Sequence, residues 1–390
     1  MKKLFYIIFI IFEIPAMLAA VVLLFGTFTN WPMYLGGYAS LLESHYSVQV
    51  FLTAILLLGF TFLIYRVKRA GLTKFFVIFF SIIFIGQSAV LIKIYHRASS
   101  NDLSLSFIKA LKIDFGEKLQ PDETCSYLTL NGKEYLLDVY RPAQNTKPSI
   151  PLILVHGGGF VASSRTDDRH QYWFTDRGLT VFDVDYPLAN DSMQTWESAA
   201  NAVATSISFI MENADKYHLD TTQLILCGGS AGGGLVMQVG YGLGNGNVTS
   251  YSATRPKIPT AIIAIYPPVD LTGMWNAAPG EMLDLKPLAR QYIGGSPGEY
   301  PERYAKLNMV NSLREGLPKT FIIAGTYDHV VPVRGSRKLV KESQKLQQPI
   351  QLLEVPFGEH YFDGNANSLS AQIKWQAMEK FLKENHFINQ

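Results

Sequence analysis

Ser230 lies in Gly228-Gly229-Ser230-Ala231-Gly232, directly after the apolar run Leu224-Ile225-Leu226-Cys227. A strand that runs through Gly-x-Ser-x-Gly into a helix forms a nucleophile elbow, a turn so tight that the serine takes a strained backbone conformation beside glycine-sized neighbours. Its hydroxyl is then exposed at the C-terminal edge of a sheet, and the next N–H, that of Ala231, faces an incoming oxyanion. A serine hydroxyl is a poor nucleophile until a neutral imidazole takes its proton, and a carboxylate must hold that imidazole in the right tautomer. Two residues at the ends of later apolar runs have these properties. Asp328 follows Phe321-Ile322-Ile323-Ala324, and His360 follows Leu352-Leu353-Glu354-Val355. The rivals are Asp270 and Asp363 as acids and His329 as base. His329 is adjacent to Asp328, which is poorly placed to orient its own neighbour. His45, His96, His156, His170, His218 and His386 lack the combination of strand end and chain position. A fourth element is His156-Gly157-Gly158-Gly159-Phe160 after the Leu152–Val155 run. Three glycines in a row let bare backbone N–H groups point into a cleft, as an oxyanion hole requires.

These residues need a scaffold that brings strand ends together. Cys125–Leu130 and Tyr135–Tyr140 flank Asn131-Gly132, a strong hairpin signal. Apolar runs at 150–155, 179–184, 223–227, 261–266, 320–324 and 350–355 read as strands, and 196–217 and 370–385 read as helices. Strands alternating with helical segments predict an α/β domain with a doubly wound, mostly parallel sheet over residues 119–390. In such a sheet the reactive residues belong in loops at the C-terminal strand ends. The stretch from about 271 to 317 is long for a connection and carries Met274, Trp275, Met282, Tyr292 and Tyr300. It predicts a cap over the substrate pocket.

Composition points to a second environment. The chain has 390 residues, 48% of them hydrophobic, with Lys+Arg 34 against Asp+Glu 32. A near-neutral balance excludes a basic field for nucleic acid. The apolar excess lies in residues 1–97, in runs at 4–25, 48–65 and 75–92, each long enough to cross ~30 Å of hydrocarbon as a helix. Lys2 and Lys3 precede the first, and Arg66, Lys68, Arg69 and Lys74 lie between the second and third, while 27–47 has neither Lys nor Arg. The expectation is an integral, three-span membrane protein with its N-terminus in the cytoplasm and the domain after Tyr95 outside. Glu13, inside the first run, is expected to pack protonated or to contact Gln87. Residues 98–118 predict a linker helix starting near Asn101-Asp102. Cys125 and Cys227 are the only cysteines, and a bond between them stays open. No cofactor and no metal are expected.

Taken together, His156-Gly157-Gly158-Gly159 and Gly229-Ser230-Ala231-Gly232-Gly233 resemble the hormone-sensitive-lipase-like branch of α/β-hydrolase esterases, and the acetyl and feruloyl esterases of the same fold. Asp183-Val184-Asp185-Tyr186-Pro187-Leu188-Ala189 looks like the segment after that family's fourth strand. The order Ser, Asp, His is the one that α/β-hydrolases use. The likeness covers about residues 120–390. It implies Ser230, Asp328 and His360 as a catalytic triad, with N–H groups of Gly158, Gly159 and Ala231 as oxyanion donors. The substrate implied is a small-molecule, lipid or glycan ester, with a short acyl or acetyl group. Gly229 departs from the lipase-like branch, which carries an acid before the serine, and shifts the likeness toward the acetyl esterases. A serine peptidase of prolyl-oligopeptidase type shares the elbow but not the triple-glycine loop. A non-catalytic binding protein would be expected to lack a triad member. An acyltransferase differs only in excluding water.

Overall fold

The computed structural model describes residues 2–29, 33–143, 147–276, 284–348 and 350–389. Its centre is an eight-stranded sheet in the order β1-β2-β4-β3-β5-β6-β7-β8. The strands are β1 (Glu123–Leu130), β2 (Lys133–Tyr140), β3 (Pro151–Val155), β4 (Thr180–Val184), β5 (Ile225–Gly229), β6 (Ala261–Ile265), β7 (Lys319–Gly325) and β8 (Ile350–Val355). β1–β2 and β2–β4 are antiparallel, and the pairs from β4 to β8 are parallel. Asn131 and Gly132 both take positive φ, 52° and 78°, in the two-residue turn of the β1–β2 hairpin. β3, β4 and β6 are buried along their whole length, the condition of parallel strands covered on both faces. Ile153 and Val155 face one apolar cluster while Leu152 and Leu154 face the other, the period of two that a strand imposes. Helices Ser198–Glu212 and Ala231–Gly242 cover the first face, and Leu369–Glu384 covers the second. This is an α/β-hydrolase fold preceded by an all-helical region.

That region consists of α1 (Lys2–Thr29), α2 (Met33–Val67) and α3 (Gly71–Ser99), all three long and apolar enough to cross a membrane. Leu56, Ile85 and Ile92 on their outer faces are 71%, 65% and 68% exposed, an apolar surface ill-suited to water. The helices also reach the domain. Val48 of α2 and Val90, Leu91, Ile94 and Ala98 of α3 belong to the same apolar cluster as Phe381 and Leu382 of the last helix.

Two expectations change here and two open alternatives narrow. First, α2 begins at Met33, well before 48, so much of the 27–47 segment, which has neither Lys nor Arg, is helix. It breaks at Tyr46 (φ −139°, ψ 23°), where Asn365 Nδ2 donates to the His45 carbonyl at 2.8 Å, intruding on the helical ladder. The helix continues over residues 47–67, and the half before the break lies on the loop after β8. Second, beyond the end of α3 at Ser99 the 98–118 segment is helical only over Phe107–Ala110, with Ser106 as its cap. Asp102 (φ 58°) follows the end of α3 instead of starting a helix. The segment then runs along Leu369–Glu384, where Gln376 and Gln372 accept from the N–H groups of Ser104 and Ser106 at 2.9 and 2.7 Å. Third, Glu13 accepts from Thr61 Oγ1 at 3.0 Å, while Gln87 donates to Glu43 at 3.0 Å. Fourth, both cysteines are free, and the Cys125 sulfur sits 3.5 Å from the Tyr217 hydroxyl.

Candidate active site

The sheet delivers every candidate side chain at a C-terminal strand end. At the end of β5, Ser230 holds φ 53° and ψ −124°, a conformation costly for a residue with a side chain and retained because the packing around it admits no other. A Cβ on Gly232 would lie 2.0 Å from the Val155 carbonyl oxygen, and one on Gly228 would lie 2.6 Å from the Gly232 carbonyl group. A Cβ on Gly229 would meet the Tyr266 ring at 3.3 Å, so the tyrosine occupies the ground that an acidic side chain before the serine would need. Gly232→Ala is therefore expected to cost about 3 kcal/mol or more, since rigid backbone cannot yield to overpacking. Gly229→Ala, which meets only a ring edge, should stay within about 1 kcal/mol of the parent. Thermal melts of the two variants check the contrast.

His360, on the loop after β8, points Nε2 at Ser230 Oγ at 2.9 Å and Nδ1 at Asp328 Oδ2, also at 2.9 Å. The other Asp328 oxygen accepts from the N–H groups of Val330 and Val331 at 2.9 and 2.6 Å, which fixes the carboxylate. The Tyr266 ring lies 4.7 Å from the His360 ring and walls its far side. The rivals are engaged elsewhere. Asp270 caps the helix Leu271–Trp275 by accepting from Gly273 N–H, and also accepts from Asn308. Asp363 accepts from the Tyr266 hydroxyl at 3.1 Å and from Lys374. Burial alone would raise the Asp363 carboxyl, but Lys374 beside it outweighs this and holds it below the usual value. His329 turns Nδ1 to Glu359.

The loop after β3 carries Gly158 and Gly159 at φ 100° and 62°. A Cβ on Gly158 would stand 2.1 Å from the Ala162 carbonyl oxygen. Tyr186, from the segment after β4, donates its hydroxyl toward the carbonyls of His156 and Gly157 at 3.0 and 3.1 Å, and its ring stacks on His156 at 4.3 Å. Burial holds the His156 imidazole below its ordinary value. Gly158, Gly159, Ala231, Ser230 and His360 all line one cavity of about 630 Å³. Leu271, Met274, Trp275, Leu288 and Tyr292 from the 271–317 segment also line it, and Met282 lies outside the described residues. Phe160 stacks on Tyr292 at 3.9 Å, tying this segment to the glycine loop. A second side of the cavity is polar, with Asp168, Arg169, His170, Asp363 and Lys374. Among the described residues, no group of three His, Cys, Asp or Glu is arranged to hold a metal ion. The sequence assigns no role at the site to Tyr266, Tyr186 or Glu359. Glu359 carried one signal, a carboxylate beside the candidate base in an otherwise apolar loop.

Residues 137–343, more than half of the chain, match the BD-FAE family. The chain belongs to the BD-FAE family. Esterase LipC of Mycobacterium tuberculosis (strain ATCC 25618 / H37Rv) is 27% identical over 236 residues, covering 58% of this chain and 57% of the relative. The probable carboxylic ester hydrolase LipM of the same organism is 23% identical over 273 residues, 65% of this chain and 59% of the relative. This BD-FAE member thus spans less than two thirds of the length of either. An acetyl esterase of Salmonella typhi is 24% identical over 244 residues, 61% of this chain and 72% of the relative. Among solved structures, the apo form of Thermogutta terrifontis esterase 2 superposes with a TM-score of 0.57 at 20% identity, over 69% of this chain and 96% of that one. That likeness speaks for the fold.

Proposed function

We propose that this chain is a membrane-anchored serine carboxylesterase that works through an acyl-enzyme on Ser230. The observation that carries the reading is the pair of 2.9 Å contacts from Ser230 Oγ through His360 to Asp328, open to a cavity. His360 Nε2 takes the hydroxyl proton as Oγ attacks the ester carbonyl, and Asp328 stabilises the imidazolium. The N–H groups of Gly158, Gly159 and Ala231 receive the oxyanion. Collapse breaks the bond to the alcohol, which leaves with the proton from His360. Water, deprotonated by the same imidazole, then releases the acid. The esterase and acetyl esterase relatives support ester substrates with a short acyl group. The stack of Phe160 on Tyr292 and the place of Leu288 beside Gly159, where a Cβ on the glycine would meet it at 3.0 Å, support the 271–317 segment as a cap over the acyl group.

The apolar outer faces of α1–α3 support membrane insertion. Arg66, Lys68, Arg69 and Lys74 cluster where α2 meets α3, the end of α3 opposite Ser99 and the hydrolase domain. In a positive-inside arrangement the domain is outside the cytoplasm. One experiment tests activity and side together. A membrane-impermeant fluorophosphonate should label Ser230 both in lysed cells and in intact ones. No labelling in lysed cells would remove the serine-hydrolase reading. Labelling only after lysis would put the domain on the cytoplasmic side.

A further inference from the structure

Glu359, the residue before His360, is 2% exposed. Its Oε1 accepts from the backbone N–H groups of His329 and His360 at 2.7 and 2.9 Å. Its Oε2 accepts from Ser40 Oγ at 2.6 Å and meets His329 Nδ1. One carboxylate therefore joins the residue after Asp328, the backbone of His360, and a hydroxyl from α2. Ser40 also lies near the carbonyls of Gly36 and Gly37, at 2.9 and 3.0 Å, but its shortest contact is the carboxylate.

The helical bundle grips the same loop at further points. Ser44 Oγ accepts from Glu359 N–H at 2.9 Å, and His45 Nε2 stands 2.9 Å from the Tyr361 carbonyl. Phe28 of α1 meets the Phe357 ring edge-on at 6.1 Å, and Lys93 of α3 lies 4.8 Å above it. The loop needs such support. Phe357 and Tyr361, on either side of His360, have φ 55° and 61°. Left-handed backbone at non-glycine residues costs about 1–2 kcal/mol each and persists only when the surroundings over-determine it.

We propose that the domain-facing end of the helical bundle is part of the catalytic apparatus, with Glu359 as a positioning residue that transmits the hold of Ser40 to the Asp328–His360 pair. The proposal rests on the esterase reading above. It also means that residues 119–390 are not a self-sufficient enzyme on a tether, because the last bond on Glu359 comes from α2.

The test uses the full chain in detergent micelles, with p-nitrophenyl acetate as substrate and a thermal melt on each variant. Misplacing a catalytic group by about 1 Å costs on the order of 100-fold, so Glu359→Ala should lower kcat by about 30-fold or more and leave KM within about 2-fold. Glu359→Gln keeps an oxygen for both backbone N–H groups and should recover most of the loss. Ser40→Ala should lower kcat about 5-fold. Parental kcat in a folded Glu359→Ala or Ser40→Ala, or a Glu359→Ala loss that glutamine does not restore, would overturn the proposal. Should Glu359→Ala fail to fold, Ser40→Ala, which removes one hydroxyl, decides alone. An inactive parent chain would instead count against the esterase reading itself.

Discussion

Ser230→Ala is expected to lower kcat/KM for p-nitrophenyl acetate by about 10⁵-fold or more and to abolish fluorophosphonate labelling. The magnitude follows from chemistry split into two steps: without Oγ there is no acyl-enzyme, and His360 has no proton to remove at the 2.9 Å position it now faces. What remains is binding and any oxyanion stabilisation from the glycine loop, on the order of 10³-fold over water in comparable sites. The melt should barely move. Alanine takes the same strained φ of 53° as serine, and the glycines that admit the turn are untouched. Full turnover in the alanine variant would end the assignment of Ser230.

Asp328→Asn should lower kcat by about 10⁴-fold, about 5.4 kcal/mol of transition-state stabilisation. Asparagine keeps the shape, and its carbonyl can still accept from the N–H groups of Val330 and Val331. Its amide, however, presents a donor to His360 Nδ1. The ring then adopts the tautomer with hydrogen on Nε2, the wrong one for accepting the serine proton. Asp270→Asn and Asp363→Asn test the alternatives. Neither carboxylate touches His360, so each should keep kcat within about 10-fold of the parent in the folded protein. Asp363→Asn should also melt earlier, because it leaves Lys374 buried beside a neutral partner. A larger kcat loss at Asp363 than at Asp328 would reassign the acid.

Much of the fold is legible in this chain because its signals are local. Largely apolar runs of five or six residues, each followed within a few residues by glycine and by serine, aspartate or histidine, mark strands whose ends carry chemistry, and β3, β5, β7 and β8 fall within a residue or two of those runs. The hairpin at Asn131-Gly132 and the long apolar helices are equally local, being matters of turn conformation and of length. The 98–118 segment misleads because its apolar spacing suits a helix in isolation. In the fold, Gln372 and Gln376 bind its backbone N–H groups and hold it extended.

The residue types and their order along the chain determine that Ser230, Asp328 and His360 sit at strand ends of one sheet, since strand periodicity and glycine sterics act over a few residues. Only the tertiary structure brings Asp328, and not Asp270 or Asp363, which also follow a strand, to 2.9 Å from His360. The same holds for Tyr266, whose ring fills the place beside Gly229, and for Ser40, which reaches Glu359 across 319 positions of chain. Such contacts leave no period or spacing in the sequence. They exist because the sheet, the last helix and α2 pack together, and that packing alone sets which buried donors find which acceptors.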